Sequence, residues 1–186
     1  MARTFQLLRM FSEMTVLENL MVGHHVHVSY GTLAAVLGLR RVGEEDRRVR
    51  EEMMELLTII GLADYAELPA SELSIGQRRL LALGRAMAMR PKLLLLDESA
   101  AGLSPVNVDN LLRIVMHLKA RYGLTVIIVE HILRVVMEVC GRVTVLDHGQ
   151  KIGEGTPEEV RENPAVVEAY LGQEMNDDEV RAAFRR

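Results

Sequence analysis

The sequence predicts an α/β fold: a parallel sheet with crossover helices, joined to a mostly helical lobe. Two observations carry that prediction. Between residues 93 and 146, short apolar runs alternate with segments of helical period. Strand–helix–strand–helix–strand is the signature of parallel strands connected by right-handed crossovers. Residues 13 to 61, by contrast, show capped helical patterns and no strand-like run. A third observation makes a packed core possible: 49% of the 186 residues are hydrophobic, with mean hydropathy +0.11.

Each element has its own justification. Met1 to Phe11 is basic and apolar with no clear period, so no element is assigned. Thr15-Val16-Leu17-Glu18 reads as a capping box that opens a short helix through Leu20 and Met21, ending at Gly23. His24 to Gly43 is punctuated by Gly31, Gly38 and Gly43 and has no assignment. From Arg47, the residues Val49, Met53, Leu56, Leu57 and Ile60 share one helical face, Arg48, Glu51, Glu52 and Glu55 face solvent, and Gly61 is the stop. Leu93–Leu96, bounded by Pro91 and by charge, predicts a strand buried on both faces. Val108, Leu111, Leu112, Val115 and Leu118 predict the next helix, closing near Gly123. Thr125–Val129 is a β-branched strand, Leu133–Val139 a helix, and Val143–Leu146 the third strand expected in the sheet. Asp147-His148-Gly149 marks a hairpin running to Gly155. Thr156 then caps a helix with Pro157 in its first turn and Glu158 and Glu159 at its positive end. The tail from Gln173 is charged and is expected to be loosely held.

Composition excludes several function classes. The longest apolar runs, such as Val126–Val129, fall far short of the roughly 20 residues that span a bilayer, and no signal segment opens the chain. A soluble, cytoplasmic protein is therefore expected. The single cysteine, Cys140, cannot form an internal disulfide, which fits a reducing compartment. Lys and Arg number 22 against 26 Asp and Glu, and aromatics make up only 4%, so no nucleic-acid partner is expected.

The C-terminal ends of parallel strands lie on one edge, where α/β proteins bind ligands. The first predicted strand ends in Asp97-Glu98 and the second in Glu130-His131. Adjacent strands bring three carboxylates and an imidazole to one rim. Either pair alone also reads as an ordinary solvated strand end. The stretch Leu73-Ser74-Ile75-Gly76-Gln77 precedes a helix carrying Leu80, Leu83 and Met87 on one face, and its amides suit an anion; alone it also reads as a plain serine cap with a loop glycine. His24, His25 and His27 tempt toward a metal, but no cysteine or carboxylate is close in sequence, and a solvated or partner-facing surface is the expectation. Cys140 reads as packed, and the cluster Arg78, Arg79, Arg85 and Arg90 as either solvated or facing a second copy.

Taken together, these segments resemble the ATP-binding cassette family over about residues 2 to 172. Leu73 to Gln77 resembles its signature loop, and Leu93 to Glu98 its Walker B strand with the following glutamate. Ala100 to Pro105 resembles the D-loop, with Ala101, Gly102, Leu103 and Ser104 at its centre; His131 resembles the switch histidine and Thr4-Phe5-Gln6 the Q-loop. Ala2–Gln6, Val129-Glu130-His131, Gly155–Glu159 and Ala169–Gly172 are similar to the branched-chain amino acid importer branch. The fold implied is a partial P-loop NTPase core with a helical subdomain. Its divisions are 1–12 for the end of the core at the Q-loop, 13–75 for the helical subdomain, 76–156 for the α/β core part, 157–172 for C-terminal helices and 173–186 for the tail.

The resemblance implies ATP and Mg²⁺ as cofactors. It assigns Asp97 and Gln6 to the metal, and Glu98, His131 and Gln6 to catalysis. Ser74, Ile75, Gly76 and Gln77 would touch the nucleotide of a facing cassette. Implied partners are a second nucleotide-binding subunit and two integral-membrane permease subunits at the inner face of the membrane. Departures are Ile75 within the signature, Ser99 where proline usually follows the glutamate, and Ser104-Pro105 in the D-loop. A P-loop NTPase also needs G-x-x-x-x-G-K-[ST], and no Gly-Lys pair occurs in these residues. The family places that loop upstream of the Q-loop, so the expectation is a truncated chain that alone neither binds ATP tightly nor hydrolyses it. A non-catalytic docking module or gene remnant is the alternative reading, and a soluble cassette acting on ribosomes or DNA a weaker third.

Overall fold

The structure, a computed structural model, describes residues 1–4, 10–27 and 40–171. Gln6 and the tail from Gln173 lie outside the described residues. The chain divides into two compact units, Met1–Val129 and Glu130–Arg186.

In the first unit, β1 (Ala2–Thr4), β2 (Leu93–Asp97) and β3 (Thr125–Val129) form a parallel sheet in that order. Ala2 to Thr4 pair with Leu94 to Leu96, and Leu93 to Asp97 with Thr125 to Val129. The strand at Ala2–Thr4 has no signal of its own in the sequence; it exists because β2 supplies its backbone partners. β2 is not buried on both faces as expected. Leu94 and Leu96 are buried whereas Leu93 and Leu95 are half-exposed, and on the same open face Ile127 and Val129 of β3 are 50% and 57% exposed. The packed face joins Leu111, Ile114, Val115 and Leu118 of one helix to Leu81 and Leu83 of another in a single core.

Among the described residues, this unit has four α-helices: α1 (Val16–His24), α2 (Arg40–Ile59), α3 (Ile75–Ala88) and α4 (Pro105–Tyr122). The capping box of α1 is present: the Thr15 hydroxyl accepts from the Glu18 amide at 3.1 Å, and the Thr15 amide donates to Glu18 Oε2 at 2.7 Å. Gly23 is not the stop that ends α1. It lies against α3, where an added Cβ would meet the Arg85 carbonyl oxygen at 2.6 Å, so this glycine lets two backbones approach. α2 begins seven residues before the expected Arg47, because its first turns are polar and exposed and carry no apolar period for a sequence reading to detect. Its outer carboxylates are used: Arg90 makes a two-pronged contact with Glu52, and Arg121 pairs with Glu55. α4 closes on Gly123 in the left-handed conformation, as predicted.

The second unit contains α5 (Leu133–Val139), β4 (Val143–Asp147), β5 (Gln150–Gly155), α6 (Pro157–Arg161) and α7 (Pro164–Leu171), packed around Val143, Val160 and Val166. Cys140, at the end of α5, packs against this core, as expected. Val143–Leu146 is not a third strand of the parallel sheet. β4 pairs antiparallel with β5 in a separate two-stranded sheet. The cause is local: the two-residue turn His148-Gly149 has φ of 45° and 80°, a geometry that returns the chain antiparallel to itself. The Thr156 capping box and Pro157 at the start of α6 are as the sequence predicts.

Candidate functional site

The site is built at the C-terminal end of β2, the middle strand. Asp97 is the last residue of that strand and Glu98 the first beyond it. The Glu98 amide donates to the Val129 carbonyl at 2.9 Å, which locks the two strand ends together. Glu98 has φ of 45°, one of three non-glycine residues in the left-handed region among the described residues. That conformation costs a side-chain-bearing residue on the order of 1–2 kcal/mol, and such outliers cluster at functional sites. Asp97 Oδ2 accepts from Arg3 Nη2 at 2.6 Å, so β1 delivers a cation to the carboxylate. Ser99 has its own partner on β1: its hydroxyl lies 3.2 Å from that of Thr4. This contact gives the departure from proline a structural role.

Beyond Glu98 the chain makes two overlapping turns. The Ala101 amide donates to the Glu98 carbonyl at 3.2 Å and the Leu103 amide to the Ala100 carbonyl at 3.1 Å. Gly102 follows at φ 72°, where a side chain is strained. Ser104 is the N-cap of α4 and Pro105 its first residue; the Ser104 hydroxyl makes no cap bond to the helix.

The signature segment forms the start of α3. Ser74 is the N-cap: its hydroxyl donates to Gln77 Oε1 at 2.9 Å, its amide to the same oxygen at 2.9 Å, and its oxygen accepts the Gln77 amide at 3.4 Å. The serine-cap reading therefore holds. Ile75 is 63% exposed. Gly76 lies beside the Asn107 amide from the first turn of α4, at 3.4 Å from where a Cβ would stand.

Each side chain of the arginine cluster has a partner within the chain, Arg90 through its contact with Glu52. Arg78 donates to the Leu73 and Ser71 carbonyls, both at 2.8 Å, and the Arg85 guanidinium sits 5.2 Å from the Phe11 ring centre. Burial lowers the Arg85 pKa from its ordinary value. Arg79 reaches the loop after β2, donating to the carbonyls of Glu98 at 3.2 Å, Ser99 at 2.9 Å and Ala101. Sequence reasoning noted Arg79 only as one of a basic cluster and did not notice Asn107, because nothing in their spacing reveals neighbours about twenty residues or more away in the chain.

Asp97, Glu98, the 101–104 loop and the signature residues all lie in the first unit, where Arg79 of the signature helix links α3 to the loop after β2. Glu130 and His131 open the second unit, directly after Val129 in the chain. Gln6 lies outside the described residues. His24 differs from expectation. It is 3% exposed and neither ring nitrogen has a hydrogen-bond partner, while His25 and His27 are exposed. Desolvation pushes the His24 pKa down, opposed by nearby Glu52 and reinforced by Arg90, His27 and Arg48. Among the described residues no group of three His, Cys, Asp or Glu side chains is arranged to hold a metal. The oxygen donors of Asp97 and Glu98 at the strand end do suit a hard cation such as Mg²⁺ that takes its remaining ligands from phosphate and water. No helix among the described residues is long and apolar enough to cross a membrane.

Comparison with known proteins follows the same lines. The family model described as ABC transporter matches residues 1–101, more than half of the chain, and that of the branched-chain amino acid ATP-binding cassette transporter matches residues 150–176. The chain is 37% identical over 171 residues to the high-affinity branched-chain amino acid transport ATP-binding protein BraF of Pseudomonas aeruginosa, covering 92% of this chain and 67% of that protein. It is 36% identical to LivG of Escherichia coli, a protein of the same description, over the same shares. Among solved structures, it resembles an ATP-binding cassette of an ABC transporter in its ADP conformation, with TM-score 0.74 and 35% identity over 92% of this chain and 68% of that one. It also resembles cbiO1 from Clostridium perfringens, part of the ABC transporter complex cbiONQ, at TM-score 0.71 and 26% identity, over 93% of this chain and 63% of that one. With a family model matching more than half of the chain and relatives above 30% identity over most of it, the chain belongs to the ABC transporter family, as one of its ATP-binding cassettes.

Proposed function

We propose that the chain serves as the ATP-binding subunit that powers uptake of branched-chain amino acids. The observation that carries this reading is the strand-end pair Asp97-Glu98, held beside the signature helix and strained at Glu98. Asp97 holds Mg²⁺, directly or through water, and Gln6 senses the metal and links it to the helical lobe at 13–75. Glu98 accepts a proton from the attacking water, a role worth roughly 10²–10⁴ in rate. His131 contacts the γ-phosphate, since phosphoryl transfer depends mainly on positioning and charge stabilisation. Ser74, Ile75, Gly76 and Gln77 meet the nucleotide of a second, facing cassette, and residues 101–104 pass along the contact between the two. Two membrane permease subunits at the cytoplasmic face complete the assembly.

The 186 residues contain no G-x-x-x-x-G-K-[ST] loop, whose amides and lysine make the main phosphate grip. The polypeptide by itself is therefore expected neither to bind ATP tightly nor to turn it over. Nucleotide affinity and Mg²⁺-dependent phosphate release on the purified chain test this; micromolar binding or steady turnover overturns it. In a subunit that joins this sequence to such a loop, Glu98→Gln is expected to bind ATP and stall before hydrolysis. Normal phosphate release from that variant removes Glu98 from the role of base.

A further inference from the structure

We propose that Arg79 is a positioning residue for Glu98, and that it makes the signature helix and the carboxylate-bearing loop a single mechanical piece. This rests on the reading of Glu98 as the base. The observations concern three carbonyl oxygens. Those of Glu98, Ser99 and Ala101 converge on the Arg79 guanidinium: Nη1 donates to the first two, at 3.2 and 2.9 Å, and Nη2 to the third. Three like dipoles turned toward one point repel one another unless a cation sits among them. A planar guanidinium presents several donors in a fixed fork and stays charged, so it can span three acceptors; an ammonium is a single compact point.

The loop so gathered needs holding. Glu98 stands at φ 45°, a conformation that its own side chain disfavours. Two contacts oppose its relaxation: the Glu98 amide to Val129, and the Glu98 carbonyl, which accepts from both the Ala101 amide and Arg79. Arg79 is the contact that comes from outside the sheet and its turn. It stands on α3 five residues after Ser74, so the helix that presents the signature also grips the backbone that aims the carboxylate. Its neighbour Arg78 does nothing of the kind, bonding only to the carbonyls of Ser71 and Leu73 that lead into its own helix. Thr4, Ser99 and Arg79 also line a small cavity together with apolar side chains.

The test has two parts. Hydrogen exchange on the chain without nucleotide compares wild type, Arg79→Ala, Arg79→Lys and Arg78→Ala. The amides of Ala101 and Leu103, whose acceptors are the Glu98 and Ala100 carbonyls, are expected to exchange about tenfold faster in Arg79→Ala, partly recovered in Arg79→Lys and unchanged in Arg78→Ala. Unchanged exchange in Arg79→Ala overturns the proposal; should that variant not fold, wild-type exchange in Arg79→Lys does the same. ATP hydrolysis is then measured in a subunit that joins this sequence to a G-x-x-x-x-G-K-[ST] loop. Here kcat is expected to fall about tenfold or more in Arg79→Ala with KM within about threefold, since misplacing a reacting group by about 1 Å can cost on the order of a hundredfold. Arg79→Lys should lie between. A raised KM with unchanged kcat overturns the positioning role. If the wild-type subunit itself releases no phosphate, the ATPase reading fails, and the exchange comparison still decides whether Arg79 holds the loop.

Discussion

Gly23→Ala probes the contact on which the signature helix rests. Gly23 is the next-to-last residue of α1, and an added Cβ stands 2.6 Å from the Arg85 carbonyl oxygen and 3.1 Å from the Ala88 Cβ of α3. Ordinary contact begins near 3.4 Å, so the methyl intrudes by roughly 0.8 Å on backbone that cannot rotate away. α1 must lift off α3, loosening Leu17 and Leu20, both fully buried. Overpacking of this kind costs about 1–3 kcal/mol. Alanine's better helix propensity, at most about 1 kcal/mol in a helix interior, returns only part of that at a helix end. The net expectation is a loss of about 1–2 kcal/mol, or roughly 3–6 °C in Tm for a chain of this size. Two other helical glycines calibrate it. Gly84 faces side-chain ends, Ile60 Cδ1 at 2.8 Å and Leu20 Cδ1 at 3.3 Å, so Gly84→Ala should cost less, because side-chain ends can move. Gly43 has nothing within 4 Å, so Gly43→Ala should stabilise by about 0.4–1 kcal/mol. Urea unfolding followed by far-ultraviolet circular dichroism ranks the three. A Gly23→Ala protein as stable as wild type, or one no less stable than Gly84→Ala, would falsify the packing argument.

Three further predictions concern caps and titration. Ser74→Ala should cost about 1 kcal/mol of stability and Ser74→Gly only a few tenths, because glycine is tolerated at an N-cap; a Ser74→Ala protein that melts with wild type would mean that the cap contributes nothing. The buried His24 has a pKa below that of the unfolded chain, so the unfolded state takes up its proton first. Stability is therefore fully present above the ordinary histidine pKa and declines as pH falls below it. His24→Leu should flatten that decline in urea titrations across mildly acidic pH, and an identical slope in both proteins refutes it. Glu154 is held down to about 2 by hydrogen bonds from Lys151 and Arg142, with their charges adding. Its folded pKa is depressed, so what it contributes is present above the ordinary glutamate range and is lost as pH falls toward 2. Its carboxyl carbon should titrate there by nuclear magnetic resonance, and Lys151→Met should move the midpoint upward; an unmoved midpoint removes Lys151 as the main cause.

Local patterns made much of this protein legible before any coordinates. The capping boxes at Thr15, Ser74 and Thr156, the left-handed Gly123 and the β-branched run at Thr125–Val129 are decided by bonds within a few residues. The strand-end carboxylates were readable for the same reason, since a parallel topology places strand ends on one edge and the pattern of runs determined that topology. Where the reading missed, the deciding partner lay far off in sequence. Ala2–Thr4 is a strand only because Leu94–Leu96 lies beside it, and β4 left the expected sheet because its nearest partner, two residues away across His148-Gly149, was better placed.

By itself, then, the sequence determined most of the helices and strands between Thr15 and Arg161, the order of its motifs, and the chemistry of the residues at the strand ends. Those properties depend on short-range periodicity and on side-chain type. Only the tertiary structure decided that Gly23 is a point of backbone contact, that His24 is buried without a partner, and that the Arg79 fork grips three carbonyls of the loop after β2. Backbone carbonyls belong to every residue alike, so no letter in the chain marks which of them a distant guanidinium will find.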